Sequence, residues 1–390
     1  MGHHQTPAIH MRLSRVVNWL NPAAPKGLIS DATAWVNEQQ RKCPQLRQPQ
    51  PTAWVREVFP AENAVQLLGY NFISTPDEEF SSVRWTATPA ASLYYLRGAR
   101  LLGDEGAVIS SDNRVFAEFT MPPASSWQEH SCFRRGRIPP LTPLKGWYAT
   151  VAWPESKFFF HWMIESLPRV ALLGDYLSAL DGIFVPSPLQ SFHKESLAML
   201  GIPLSKLVPL GPQAHFAPEH LFVPRAFAMY NPPSWLHRWY KSAFELPSRQ
   251  DGTESRRRIY VSRADAPARR VANEDEVVAE LEKRGFEPVR LTDMPFADQA
   301  RLFNEAEIII APHGAGLSNL VFCNPGTVVL EVLPPNWMAP CFMSLAASAG
   351  LSYRHLRADT FASQGRADPQ RDAVLLPTVQ ITALLDAMGI

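Results

Sequence analysis

The sequence predicts an α/β protein built from two consecutive βαβ domains that face a cleft, with an N-terminal antiparallel β meander ahead of them. Short apolar runs of strand length alternate with longer amphipathic segments on both sides of the polar stretch Pro247–Arg257. In the second half, a His-Gly-Ala-Gly turn joins two such runs. At 390 residues the chain is too long for one ordinary hydrophobic core, so two domains are expected.

The meander is predicted from turn residues that separate three β-type segments. These are Ser92–Leu102, Ala107–Ser110 and Arg114–Thr120. From Gly146 strands and helices alternate. The predicted strands there are Trp147–Ala152, Gly182–Val185, Lys206–Leu210 and Leu221–Val223, and the predicted helices are Phe158–Leu173, Leu189–Leu200 and Trp235–Phe244.

The alternation resumes after the polar stretch. The predicted strands are Arg258–Ser262, Phe286–Leu291, Glu307–Ala311, Thr327–Leu333 and Ser352–Arg357; the predicted helices are Asn273–Arg284, which Asn273 would cap, Pro295–Ala306, Leu317–Cys323, Leu345–Gly350 and Thr378–Met388. We therefore divide the chain into an N-terminal extension (1–60), a first Rossmann-like domain with the meander (61–246), a second Rossmann-like domain (258–372) and a C-terminal helix (373–390).

Charge and cysteine content exclude several classes of function. Lys+Arg and Asp+Glu number 37 each, so nothing in the overall charge calls for a nucleic-acid partner, and any anion site must be local. The four cysteines lie far apart without CxxC spacing, which indicates neither a zinc site nor a disulfide framework. No apolar run approaches the roughly 18 residues of a membrane span, and no signal peptide is visible. A cytoplasmic location is therefore expected.

The segment Met11–Leu20 has two interpretations. Its apolar residues fall on one side of a short helix with Arg12 and Arg15 at the edge, an arrangement that suits a peripheral contact with an anionic membrane face. The alternative, which we favour, is an ordinary terminal helix packed on the domain.

The most informative stretch is Glu307–Leu333. An Ile-rich strand leads into Gly314 and Gly316, which let the backbone turn sharply and approach a ligand without interference from a Cβ atom. A helix then begins near Leu317, and its unpaired N–H groups favour an anion such as phosphate. Glu331, near the end of the next strand, stands where doubly wound sheets often hold a ribose diol.

Arginines follow the first strand of the same half. Arg263 comes directly after that strand, and Arg269 and Arg270 lie in the loop before the next helix. Guanidinium forks suit diphosphate oxygens, although most loop arginines are simply solvated. We favour an anion-binding role over simple solvation because Arg263 and His313 are both predicted at the carboxyl ends of strands in one sheet. A histidine directly before Gly-Ala-Gly is better explained by donation to a phosphate or a sugar hydroxyl than by a structural role.

A second candidate constellation lies on the predicted helix Phe158–Leu173. His161, Glu165 and Arg169 recur at a spacing of four, so they share one face, and the surrounding aromatic residues, Trp162 among them, make an unpaired carboxylate costly. A His–Glu pair can act as a base near neutral pH. The alternative is a Glu165–Arg169 ion pair on a surface helix, and the two interpretations have equal weight at this stage.

Motifs of other enzyme classes are absent from the sequence. It contains no GxGxxG, GxxxxGK[ST], HExxH, GxSxG or Asp-x-Asp. The metal-dependent sugar-nucleotide site that uses two close aspartates is therefore not visible.

These residues together resemble glycosyltransferase family 61. The similarity rests on Ser262-Arg263, Arg270 with Asn273-Glu274, Gln299-x-x-Leu302-Phe303, the HGAGLSN sequence from His313 to Asn319, and Pro325-Gly326 followed by Glu331. Upstream, FFHWMIESLPR from Phe159 to Arg169 resembles the His-x-x-x-acid motif of the bacterial members. Many eukaryotic members have Asp where this chain has Glu165.

The resemblance implies a GT-B fold and an inverting, metal-independent transferase, without a cofactor, that uses a nucleotide-diphosphate sugar. In this interpretation Glu165 is the base, His161 orients it, and His313 assists the leaving group; His161 as the base is the alternative. Arg169 and Trp162 would orient the base or contact the acceptor. The donor would be bound by Arg263, Arg270, Asn273, His313, Gly314, Ala315, Gly316, Leu317, Asn319 and Glu331.

The implied donor is a UDP-sugar and the implied acceptor a glycan or lipid-linked oligosaccharide, in capsular or other surface polysaccharide synthesis. Two other functions stay open. One is a sugar-nucleotide epimerase or isomerase on the same frame, and the other is a non-catalytic nucleotide-sugar-binding subunit of a polysaccharide assembly complex.

Overall fold

The computed structural model describes residues 24–42, 52–63, 87–120, 131–135, 137–226, 230–248, 257–335, 339–360 and 372–390. The segment Met11–Leu20 and most of the polar stretch 247–257 lie outside these residues. Contacts divide the described chain into two compact units. The first contains the residues up to 60 together with 90–226, and the second contains 61–63, 87–89 and the residues from 230 onward.

The first unit is built on a ten-stranded mixed sheet. Its strands are β1 (Leu28–Ile29), β2 (Ala53–Phe59), β3 (Ala91–Arg97), β4 (Arg100–Leu102), β5 (Ala107–Ile109), β6 (Val115–Phe116), β7 (Thr142–Thr150), β8 (Gly182–Pro186), β9 (Leu207–Leu210) and β10 (His215–Arg225). The order is β1-β6-β5-β4-β10-β7-β8-β9; β3 also pairs with β10, and β2 pairs with β3. Strand β10 is antiparallel to β3 and β4 but parallel to β7. The predicted meander and the predicted βα half therefore share one sheet, joined through β10.

Short helices cover this sheet. They are α1 (Ala32–Lys42), α2 (Ala117–Thr120), α3 (Ser131–Arg134), α4 (Phe159–His161), α5 (Val170–Leu173), α6 (Tyr176–Ala179) and α7 (Ser191–Met199), with a 3₁₀ turn at Leu204–Lys206. The core on one face of the sheet is apolar and includes Tyr94, Leu96, Leu221 and Val223, which alternate along β3 and β10 with residues of the other face.

The second unit contains a five-stranded parallel sheet. Its strands are β11 (Arg257–Val261), β12 (Phe286–Val289), β13 (Ala306–Pro312), β14 (Val328–Leu333) and β15 (Ser352–Arg357), in the order β12-β11-β13-β14-β15. All neighbouring pairs are parallel. The chain leaves β11 for one side of the sheet and returns to its other side with β13, so the strand order reverses between β11 and β13. Ligands of doubly wound sheets bind at such a switch point, outside the carboxyl ends of the strands.

Helices and a small ribbon complete the second unit. They are α8 (Ser234–Ala243), α9 (Glu274–Glu282), α10 (Phe296–Glu305), α11 (Cys341–Ser348) and α12 (Thr378–Ala387), 3₁₀ segments at Leu291–Asp293 and Ala315–Phe322, and the antiparallel pair β16 (Asp359–Thr360) and β17 (Val374–Leu375). The core lies where α9 and α12 meet the sheet, around Tyr260, Val277, Ile310 and Leu385.

Helix α8 belongs to the second unit, whereas the division predicted from composition places it in the first. Its Tyr240 and Phe244 pack against Phe322 with ring centroids 5.2 and 5.6 Å apart. At its start, Ser234 donates to the carboxylate of Glu62 from both its N–H and its hydroxyl, each at 2.8 Å. Residues that precede β3 in sequence are therefore tied to the second unit. The predicted boundary rests on the polar composition of the stretch Pro247–Arg257, which carries no information about these contacts.

Two predicted helices have a different form in the structure. The segment predicted as one helix over 158–173 consists of α4, a π-helical turn at Trp162–Ser166, a 3₁₀ turn at Leu167–Arg169 and α5. Pro168 lies in the 3₁₀ turn, where it has no N–H to continue a regular ladder. The segment predicted as a helix over 317–323 is a 3₁₀ helix that already begins at Ala315.

Candidate functional site

Arg263 lies at the switch point of the second sheet, just beyond the end of β11. Its Nε donates to the carbonyl of Arg269 at 3.1 Å and its Nη2 to the carbonyl of Ala268 at 2.7 Å. Its own backbone N–H donates to Oε1 of Glu274 at 3.0 Å. Two of the three guanidinium nitrogens are thus fixed by the following loop. Burial lowers the pKa of Arg263 to about 10, which still leaves it cationic at neutral pH.

The third nitrogen, Nη1, lies against Gly314 on the neighbouring strand end. A Cβ atom added to Gly314 would overlap Nη1 and would lie 3.0 Å from Cζ. Glycine is required here by space and not by its backbone angles, because its φ of 176° is ordinary extended backbone. The cation and the glycine turn therefore meet at one place, as the sequence predicts for an anion site.

Packing and hydrogen bonds fix the position of the glycine turn itself. A Cβ on Gly316 would lie 2.8 Å from Cδ1 of Leu291. The amide of Asn319 donates to Oε1 of Gln299 and to the carbonyl of Gly316, both at 3.1 Å. Ser318 Oγ and Asn319 Oδ1 are buried and have no hydrogen-bond partner among the described residues. Buried polar atoms without partners mark places where water or a ligand completes the hydrogen bonding.

His313 is buried beside the same turn. Its Nδ1 and Oε1 of Glu331 are 2.5 Å apart, and the Tyr353 hydroxyl donates to the other carboxylate oxygen at 2.6 Å. Glu331 is 0% exposed. Both of its oxygens are engaged within the protein, so the ribose contact predicted for it would require one of these hydrogen bonds to be exchanged.

The other residues near this turn, some of which the sequence predicts to bind the sugar nucleotide, differ in what their side chains contact. Arg269, whose φ of 52° is in the left-handed region, donates from Nε to the carbonyl of His313 at 3.3 Å. Arg270 is exposed and its Nε donates to Ala266. Asn273 does not cap α9 with its side chain. Its amide instead bonds the carbonyl of Leu376 at 3.0 Å and accepts from the Leu376 N–H at 2.9 Å, because the C-terminal segment runs beside it.

The first unit contains the second candidate site. Nδ1 of His161 and Oε2 of Glu165 are 2.6 Å apart, so the structure brings together the two residues that the sequence pairs. The His161 side chain is 22% exposed, whereas that of Glu165 is only 7% exposed. Glu165 lies in the π-helical turn, and such turns occur frequently at functional sites. Of the two, His161 therefore has the more accessible side chain.

Arg169 and Trp162 support this pair from inside the protein. Arg169 is 1% exposed, lies over the Trp153 ring at 4.6 Å, and donates from Nε to the Glu165 carbonyl at 2.9 Å. Burial lowers the pKa of Arg169 to about 10, against the opposing effect of the Glu165 charge. Trp162 is fully buried and donates to Ser196 Oγ at 3.0 Å. Its place in the core supports an orienting role over a contact with an acceptor.

Neither a metal cluster nor a membrane helix occurs in the part of the chain that the structure describes. No group of three or more His, Cys, Asp or Glu side chains there could hold a metal ion. No helix there has both the length and the apolar character needed to cross a bilayer.

Residues 159–330 match the family model described as Glycosyltransferase 61. The chain is 33% identical over 79 residues to a beta-1,2-xylosyltransferase of Arabidopsis thaliana, which covers 20% of this chain and 14% of that protein. It is 35% identical over 92 residues to an EGF domain-specific O-linked N-acetylglucosamine transferase of Drosophila melanogaster, covering 22% and 17%. This segment belongs to glycosyltransferase family 61. The chain matches less than a fifth of the length of either relative.

The family 61 segment contains His161, Glu165, Arg263 and His313 but stops one residue before Glu331. Tyr353 lies further beyond it, and our sequence analysis did not single it out. The signal for it was present, because Tyr353 and His355 alternate with Arg354 along β15 and so share a face of the sheet. Glu274 was noticed only as part of a motif. Its carboxylate also accepts from Tyr260 at 2.9 Å, which fixes the end of β11.

Gly314→Ala is expected to weaken nucleotide binding as strongly as removal of the Arg263 side chain does. The added methyl group displaces the guanidinium, so the double variant Gly314→Ala/Arg263→Ala should bind no more weakly than either single variant. Isothermal titration calorimetry measures this cycle. Gly211→Ala is the control, because a Cβ there meets no atom within 4 Å. Additive losses would contradict the shared cause.

Asn273→Ala is expected to destabilise the second unit while leaving nucleotide binding intact in the folded protein. The substitution removes two half-buried hydrogen bonds to Leu376, each of which contributes about 0.5–1.5 kcal/mol to the free energy of unfolding. Urea unfolding measures the loss, with the exposed Gln380→Ala as control. If the folded Asn273→Ala variant binds nucleotide more weakly than the wild type, Asn273 is instead one of the residues that bind the sugar nucleotide, as the sequence predicts.

Proposed function

We propose that this chain is an inverting, metal-independent glycosyltransferase of GT-B type. It transfers a sugar from a nucleotide-diphosphate sugar, with UDP-sugars favoured, to a glycan or lipid-linked oligosaccharide acceptor in capsular or other surface polysaccharide synthesis. The observation that carries the proposal is the Arg263 guanidinium, which is held by two backbone carbonyls and lies against Gly314 at the switch point of a parallel sheet.

The second unit would bind the donor. Arg263 Nη1 and the N–H groups of the turn from Gly314 to Leu317 would receive the diphosphate, and exposed Arg270 would add charge at the rim. The unpartnered Ser318 Oγ and Asn319 Oδ1 supply polar atoms at the same helix start. Negative charge grows on the leaving diphosphate in the transition state, so preorganised donors stabilise that state more than the ground state. They would supply the stabilisation that a metal ion supplies in other enzymes.

The first unit would activate the acceptor. We assign the base to His161, because it is the more exposed member of the pair and because Oε2 of Glu165 occupies its Nδ1. The other ring nitrogen, Nε2, would accept the proton of the acceptor hydroxyl while that oxygen attacks the anomeric carbon. Glu165 would hold the tautomer and stabilise the protonated ring. Arg169 fixes the backbone of Glu165. The alternative assignment, Glu165 as the base, needs its carboxylate to become accessible.

The donor site is tested by calorimetry of the purified chain with UDP, GDP, CMP and TDP in EDTA. Saturable binding of one nucleotide is expected, and the sugar nucleotides of that base are then tried for transfer. Binding of none overturns the proposal. Transfer that depends on an added acceptor separates a transferase from an epimerase or isomerase, which needs no acceptor. Nucleotide binding without turnover of any kind would favour a non-catalytic binding subunit.

A further inference from the structure

A buried chain of three polar side chains connects β15 to the glycine turn. Tyr353 donates to Oε2 of Glu331 at 2.6 Å, and Oε1 of Glu331 pairs with Nδ1 of His313 at 2.5 Å. The exposed fractions of His313, Glu331 and Tyr353 are 5%, 0% and 3%. The three residues come from three adjacent parallel strands or their ends, so the sheet itself fixes their spacing.

Burial of the Glu331 carboxylate destabilises the folded protein unless its oxygens are hydrogen-bonded. Burying an isolated ionised carboxylate costs many kcal/mol, and the cost is offset only when hydrogen bonds and a partner charge satisfy it. Here one oxygen has a hydroxyl donor and the other has an imidazole N–H. Burial, reinforced by the Glu331 charge, raises the pKa of Tyr353 well above its ordinary value, so this hydroxyl stays a neutral donor.

The surroundings of this chain of side chains add no second anion beside Glu331. Burial, and then the Glu331 charge, raise the pKa of the Cys341 thiol, so it stays protonated and adds no second anion. From the loop side, Arg269 approaches the backbone carbonyl of His313. The Phe342 ring packs on the imidazole at 5.2 Å between centroids. The ring is therefore fixed by packing on its face and by Glu331 at Nδ1.

We propose that Glu331 and Tyr353 are positioning residues that hold the imidazole ring of His313 beside the glycine turn, where the diphosphate of the donor would bind. Glu331 then acts through His313 and does not bind the ribose. This inference rests on the proposed function, because it names how that donor site is oriented. Glu331 fixes the orientation of the ring through Nδ1, so loss of this hydrogen bond should weaken diphosphate binding.

The test is UDP binding in EDTA, measured by calorimetry for the wild type, Glu331→Gln and the control Glu287→Gln, together with the ¹⁵N-edited imidazole signal of His313 in each. Glu287 lies on β12, is exposed and pairs with Arg257. In Glu331→Gln, UDP binding is expected to weaken about tenfold, and the signal of the His313 Nδ1 proton is expected to lose the signature of a strong hydrogen bond. Tyr353→Phe should weaken binding about tenfold through looser positioning. The Glu287 variant should match the wild type in both respects.

Outcomes for the two proposals differ. A wild type that binds no nucleotide diphosphate overturns the proposed function. A wild type that binds, together with a folded Glu331→Gln whose UDP affinity and His313 signal are both unchanged, overturns only the positioning role. If Glu331→Gln does not fold, ¹⁵N-edited imidazole spectra of the wild type decide, with His313→Gln used to assign the signal. A strongly hydrogen-bonded Nδ1 proton on His313 is expected, and an unprotonated Nδ1 overturns the inference.

Discussion

Replacing His161 with Gln is expected to lower the rate of sugar transfer by about 10²–10⁴-fold, the usual contribution of a general base. Nucleotide binding should be unchanged, because the residues assigned to the donor lie in the other unit. Glu165→Gln should also lower the rate strongly, since the amide no longer selects the correct tautomer of His161. Steady-state rates with saturating donor measure both effects.

The relative losses in the two variants distinguish the two assignments of the base. If His161 is the base, His161→Gln lowers the rate more than Glu165→Gln, because Glu165 only orients the ring. If Glu165 is the base, Glu165→Gln is the more damaging change. Asp175→Asn, which replaces an exposed carboxylate in the same unit, is the control and should leave the rate unchanged. Full activity in His161→Gln would contradict our assignment.

Replacing Arg263 with Ala is expected to weaken nucleotide binding strongly, while leaving it measurable by calorimetry at high protein concentration. Each lost hydrogen bond from the cation to a phosphate oxygen costs about 1.5–3 kcal/mol, roughly 10- to 150-fold in affinity. Arg263→Lys should give only partial recovery, because an ammonium group cannot reproduce the two backbone hydrogen bonds that fix the fork. Calorimetry with the nucleotide identified for the wild type measures both variants.

The control for Arg263 is Arg290→Ala. Arg290 is an exposed arginine of the same unit that pairs with Asp293. Its loss removes the same formal charge without touching the turn, so binding should change little at moderate salt. Wild-type affinity in Arg263→Ala would overturn the donor-site proposal.

The sequence predicted the centre of the second unit well, because its signals are local. Ile-rich β13, the glycine turn and β14 follow one another in a single stretch, and a parallel sheet brings the residue after β11 beside the residue after β13. The meeting of Arg263 and Gly314 follows from that adjacency. The His161–Glu165 contact was likewise predictable from a spacing of four residues.

Features that depend on distant partners were not predictable. Asn273 was expected to cap a helix, yet its side chain bonds Leu376, more than a hundred residues away. The helical form of 162–166 and 315–322 depends on packing that residue periodicity does not record. The assignment of α8 to the second unit rests on Glu62 and Phe322, which lie on opposite sides of it in sequence.

The π-helical turn at Trp162–Ser166 means that chain length, and not only residue type, determines where Glu165 points. A π turn holds one more residue than an α turn closed by the same backbone contacts. Deleting one residue between His161 and Glu165 would let this turn close as an ordinary α turn, with Glu165 three residues after His161 instead of four and Ser166 in the fourth position. All the side chains named above would still be present, but the geometry of the His161–Glu165 hydrogen bond would change. Related chains can therefore differ in activity through a single-residue gap that an inventory of motif residues does not reveal.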